Sequence, residues 1–148
     1  MDFESNDDEK LVGFFYTDDS YEILGERICY FSDKKGNKIG IYIKESFGNS
    51  PHIHLRNNKE LICRIKLRTN EYQRDAYEKK NPRKLTKSEE CAFNQYMHAM
   101  ATGENCNNWY KISVEWNKRW RCANPGKTSG IVNLSKGCPE YINIREPE

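Results

Sequence analysis

The run Cys63-Arg64-Ile65-Lys66-Leu67-Arg68 alternates apolar and basic side chains without a break. A strand turns successive side chains to opposite faces, so the run reads as a half-buried strand with one core face and one cationic face. Upstream, His52-Ile53-His54-Leu55-Arg56 alternates in the same way, and Asn57-Asn58-Lys59 supplies turn residues between the two. The two runs are expected to pair through a three-residue loop. Arg56 would then face Glu60, His54 would face Ile62, and His52 would face Arg64. On that register His52, His54, Arg56, Arg64, Lys66 and Arg68 share one side of the sheet. Ile53, Leu55, Cys63, Ile65 and Leu67 share the other and look to the core.

More strands precede this hairpin. Arg27 to Phe31 and Ile39 to Ile43 are rich in β-branched and aromatic residues, and Asp33-Lys34-Lys35-Gly36-Asn37 between them reads as a hairpin turn. Leu11 to Tyr16 fits a further strand or a short apolar segment. Thr69 to Pro82 is polar, hence irregular or briefly helical. Thr86-Lys87-Ser88-Glu89 has the spacing of a capping box, which starts a helix expected to reach Ala101 and stop at Gly103. Its inward positions would be Ala92, Phe93, Tyr96, Met97, Ala99 and Met100. Asn108 can cap a second helix, because Trp109, Ile112, Trp116 and Trp120 recur three or four apart. Asn124-Pro125-Gly126 ends it, and Ile131 to Leu134 and Tyr141 to Ile144 fit short edge strands.

The expected architecture is α+β: an antiparallel sheet of four or five strands packed against two C-terminal helices. With 148 residues there is room for one domain. The division expected is an acidic flexible arm over 1–10, the α+β domain over 11–122, and a loose extension over 123–148. Residues 1–22 hold eight acidic side chains against Lys10 alone, although the whole chain is +2. Such an arm either keeps the chain soluble or folds over the basic body and mimics an acidic partner. No window approaches the length of an apolar membrane span. An acidic start is the opposite of a secretion signal, so the expected location is cytoplasmic. Six cysteines lie no closer than 15 residues apart, without a Cys-x-x-Cys pair. They are therefore expected to be reduced thiols, with Cys63 and Cys91 packed as small hydrophobes, and no cysteine-held metal.

The cationic face carries the functional reading. Like charges opposed across strands are destabilising by up to ~1 kcal/mol per pair, and a purely structural face would interleave acids. Only Glu60 does so here. An anionic partner is the expected consequence, RNA or another nucleic acid first, although a solvated charged face is the plainer alternative. His52 and His54 are also candidates for acid–base cleavage of RNA without metal. A metal centre would need a third ligand, and the flanking Arg64 and Lys66 would repel a cation. Neither metal nor cofactor is expected. Trp109, Trp116 and Trp120 read first as core; with Lys111, Lys118, Arg119 and Arg121 beside them they also suit stacking on bases. No glycine-rich phosphate loop or nucleophile elbow occurs.

Pro51-His52-Ile53-His54-Leu55, followed by a second strand, a capped helix, Trp109 and Trp116-Asn117, resembles a family of short bacterial proteins. It is known as domain of unknown function four-one-six-zero and is marked by Pro-His-Phe/Ile-His strands. The resemblance spans about residues 39–117. It implies a small α+β domain tied to mobile or toxin–antitoxin loci, without an established activity. Pro51, His52, His54, Trp109 and Trp116 are the matching positions, and the basic second strand departs from many relatives. A protein-interaction role, as toxin–antitoxin component or inhibitor of a larger complex, is therefore the second expectation, and a metal-independent RNase the third. The chosen reading needs the imidazole and guanidinium groups to project to one side and to stay accessible.

Overall fold

In a computed structural model the chain is described over residues 9–17, 22–24, 28–30, 37–44, 50–57, 60–73, 83–101, 103 and 105–139, with backbone alone at 22–24, 28–30, 73 and 136. Among the described residues seven strands are followed by two helices: β1 (Lys10–Tyr16), β2 (Glu22–Leu24), β3 (Ile28–Tyr30), β4 (Lys38–Ile43), β5 (His52–Asn57), β6 (Glu60–Lys66), β7 (Tyr72–Gln73), α1 (Lys87–His98) and α2 (Asn108–Ala123). Five strands form one antiparallel sheet in the order β1-β4-β5-β6-β7, while β2 and β3 pair separately. The α+β class is as expected.

Strand β4 explains why the early hairpin is drawn elsewhere than the turn residues suggest. Ile39, Ile41 and Ile43 are fully buried, and β4 is a central strand with a neighbour on both edges. Those neighbours are β1 and β5, and β3 turns back on β2 instead. The turn expected at 33–37 lies, but for Asn37, outside the described residues. Tyr72 and Gln73, expected to be irregular, add the fifth strand.

Ile39, Ile41, Ile43, Ile53, Leu55, Ile65 and Leu67 make the core face, against which Phe93 and Met97 of α1 pack together with Phe15. Burying such aliphatic side chains stabilises by roughly 1.5–3 kcal/mol each, which a chain short of aliphatic residues needs. Helix α1 begins on the expected capping box: Thr86 accepts from the Glu89 amide and Glu89 accepts from the Thr86 amide. It stops at His98 rather than near Ala101. Ala99 turns extended and Met100 pairs with Asn107, so Gly103 sits in the following turn and Ala99 and Met100 are exposed.

Helix α2 is capped one residue before the expected position, with Asn107 accepting from the Tyr110 amide. It crosses the end of the sheet where β1 and β5 begin and β6 ends. Lys10 pairs with Glu115 there, the Trp116 ring lies beside His52, and the Trp109 indole donates to the Leu67 carbonyl. Trp109, Trp116 and Trp120 are all buried.

The segment after α2 is tied down through Pro139. Trp116 Nε1 donates to the Gly130 carbonyl at 2.7 Å, and Asn117 exchanges two hydrogen bonds with the Val132 backbone. Leu134–Lys136 form a 3-10 turn where an edge strand was expected; 141–144 lie outside the described residues. No helix among the described residues is long and apolar enough to cross a membrane.

Candidate anion-binding site on the β5–β6 hairpin

The hairpin register differs from the expected one. Asn57 faces Glu60, and Ile62 is an extra residue in β6, a β-bulge, so that His54 faces Arg64 and His52 faces Lys66. The shift is by two positions, and a strand repeats every two, so the same side chains still share the polar face. His52, His54, Arg56, Arg64 and Lys66 are brought together. Arg68 is not. It lies past the end of β6 and donates to the carbonyls of Ser129 and Ile131, which makes it a tie for the C-terminal segment.

Accessibility is where the expectation fails for the imidazoles. His52 is 4% exposed and His54 5%. Their rings lie 5.1 Å apart between centroids, and the Trp116 ring lies 5.5 Å from that of His52. His52 also contacts the Ser50 carbonyl through Nδ1, at 2.9 Å. As that partner is an acceptor only, Nδ1 carries the proton. The guanidinium and ammonium groups of Arg56, Arg64 and Lys66 belong to half-buried residues.

Glu9 lies on this face against His54 and Arg56. Its carboxylate accepts from Arg56 through Nε at 3.0 Å and Nη2 at 2.8 Å, a two-point fork. The same carboxylate meets His54 Nδ1 at 2.7 Å. Arg64 Nε donates to the opposite nitrogen, His54 Nε2, at 3.2 Å. An arginine cannot accept, so Nε2 is the unprotonated nitrogen and Nδ1–H donates to Glu9. Both nitrogens of His54 are therefore committed.

The electrostatics follow from these contacts. Burial would raise the Glu9 carboxyl, but the hydrogen bonds and charges of His54 and Arg56 outweigh it and hold it down at about 2. Burial lowers His52 to about 4, with the charges of His54 and Arg64 adding to the shift against the pull of the Ser50 carbonyl. Burial also lowers His54; Glu9 opposes this and the two arginines reinforce it. At neutral pH the site is thus one carboxylate, two neutral imidazoles and two guanidinium groups.

Several sequence readings end here. Trp109, Trp116 and Trp120 are no more than 1% exposed, so none offers a ring face to a nucleic-acid base. Among the described residues, no group of three metal-ligating side chains converges. Cys63 is a buried free thiol, as expected, but Cys91 is disulfide-bonded, and its partner lies outside the described side chains.

Sequence reasoning misses one participant, Glu9, which falls in the acidic arm, where its charge gives a general signal but no target. Trp116, read as core and as a stacking candidate, is buried with the His52 imidazole beside it. No family model, characterised protein or solved structure matches this chain.

Proposed function

We propose that the protein is a small binding protein that holds an anionic partner on the β5–β6 face, nucleic-acid phosphate being the first class of ligand. One observation supports this above the others: the face already grips a carboxylate, that of Glu9, with a bidentate arginine and an imidazole N–H. Phosphate oxygens suit the same fork. Arg64 and Lys66 extend the positive edge along β6. Cleavage of RNA by His52 or His54 gains no such support, because His54 has both nitrogens engaged and both rings are buried.

A second reading, contact with an acidic segment of a protein partner, is favoured by the identity of the group seated there, a side-chain carboxylate. One titration separates the two. Labelled single-stranded RNA and a labelled polyglutamate peptide are each followed by fluorescence anisotropy at rising salt. RNA binding that weakens steeply with salt, tightens in Glu9→Gln and is lost in Arg64→Glu is the expected outcome. Preference for polyglutamate would move the assignment to a protein partner. Indifference of both probes to Arg64→Glu would remove this face from consideration.

A further inference from the structure

A second cluster lies apart from the basic face, where three separate stretches of chain meet. Gly137, at φ +80°, takes a backbone conformation that L side chains rarely adopt, and it turns the chain after the 3-10 turn back towards the end of α1. Cys138 Sγ thereby comes 3.6 Å from His98 Nε2. The Asn70 side chain, itself 1% exposed and at φ 59°, hydrogen-bonds the thiol and also reaches the Pro139 carbonyl. His98 shares that carbonyl as a partner. Cys138 and His98 are both half-buried rather than sealed.

The three remaining free thiols among the described side chains lack this setting. Cys63 is buried in the core, Cys122 is exposed on α2, and Cys106 is half-buried in the turn before α2. Among the described residues none of them contacts an imidazole, whereas Cys138 has a base at contact distance, and a thiol with an adjacent base is the arrangement of an activated nucleophile.

We infer that Cys138 is an acyl-accepting nucleophile with His98 as its general base, acting on activated acyl groups such as thioesters and reactive esters. In the His98 tautomer protonated at Nδ1, the Nε2 lone pair takes the Cys138 thiol proton. The sulfur electron pair forms the S–C bond to the acyl carbon, and the bond to the leaving thiolate or alkoxide breaks with its electrons. The proton on His98 then passes to that leaving group, so one acyl group is transferred without any oxidant or reductant. Burial pushes the Cys138 thiol up to about 12, against the hydrogen bond from Asn70, and burial also lowers His98. The resting pair is therefore neutral, and attack depends on proton removal by His98 rather than on a standing thiolate.

The probe is p-nitrophenyl acetate, offered to the purified full-length chain without reductant. Release of p-nitrophenolate is timed, and the acetylated cysteine is located by peptide mass spectrometry. Cys138 is expected to acetylate at least about a hundredfold faster than the exposed Cys122, the low end of what a positioned base contributes. His98→Gln is expected to abolish that lead. The wild-type rate should also stay flat from pH 8 down to pH 6.5, where a free thiol would slow about tenfold per pH unit. Equal rates at Cys138 and Cys122 in the unmutated chain, which needs no variant to fold, would overturn the inference. So would a Cys138 rate that His98→Gln leaves unchanged.

Discussion

Arg64 stands directly across the strand pair from His54 and donates its Nε hydrogen to His54 Nε2 at 3.2 Å. That bond fixes the ring's tautomer, since Nε2 must present a lone pair and the proton is left to Nδ1, facing Glu9. Nitrogen NMR of the imidazoles is expected to find His54 neutral in the Nδ1–H form at pH 6, below the midpoint of a free histidine. A protonated ring at that pH would mean that Arg64 has turned away.

Acid should weaken the fold in two successive windows. His52 falls from 6.5 in an unfolded chain to about 4 when folded, and His54 moves in the same direction. Between those values the unfolded chain binds more protons, so stability rises with pH and is lost as pH drops from about 6.5 towards 4. Glu9 lies at about 2 against 4.5, which extends the loss from about 4.5 downward. Urea unfolding at a series of pH values checks this. His52→Gln is expected to flatten the upper window and leave the lower one, and an unaltered upper slope would contradict the assignment.

Arg56→Lys keeps the charge but not the fork. Lysine offers a single ammonium where Arg56 sends both Nε and Nη2 to Glu9. A loss of about 1–2 kcal/mol in unfolding free energy is expected, the scale of a charged hydrogen bond. Anion binding by the same variant should weaken too. If Arg56→Lys and wild type unfold at one urea midpoint, the fork adds nothing beyond charge.

Gly130 lies under the Trp120 indole. A β-carbon added there would come within 2.3 Å of the ring, whose side chain is itself fully packed. Gly130→Ala is expected to destabilise by about 1–3 kcal/mol through overpacking. Trp109→Phe gives up the hydrogen bond to the Leu67 carbonyl and is expected to cost about 1 kcal/mol, with anion binding unchanged. Thermal melts and the RNA titration together check both. An RNA affinity that falls in Trp109→Phe would restore the indoles to the binding surface.

Alkylation under denaturing conditions without reductant should label Cys63, Cys106, Cys122 and Cys138 and spare Cys91. Reduction should then expose Cys91. Peptide mapping reads this directly, and a labelled Cys91 before reduction would return the chain to the all-thiol expectation.

Alternation makes the polar face legible in the sequence, but not its pairing. The turn at Asn57 and Glu60 alone would have set His54 against Cys63, and the bulge at Ile62 restores the parity that keeps cations with imidazoles. Nothing in Leu61-Ile62-Cys63 announces a bulge, because all three residues are apolar. Capping chemistry located both helix starts to within a residue, being local and short in range. The end of α1 was missed because the bridge from Met100 to Asn107 is set by where α2 packs. Glu9 reaches His54 across 45 positions of sequence and Cys138 reaches His98 across 40, and no spacing rule spans such distances. Both contacts belong to tertiary structure.

Trp116 touches two parts of the molecule at once. Its ring flanks His52, and its N–H is held by the carbonyl of Gly130 in the C-terminal segment. A protein or peptide that grasped residues beyond Lys127 and drew them outward would strip that indole of its acceptor and loosen its packing against His52. Events at the tail would then be felt as a change in proton affinity at His52, carried by one aromatic side chain.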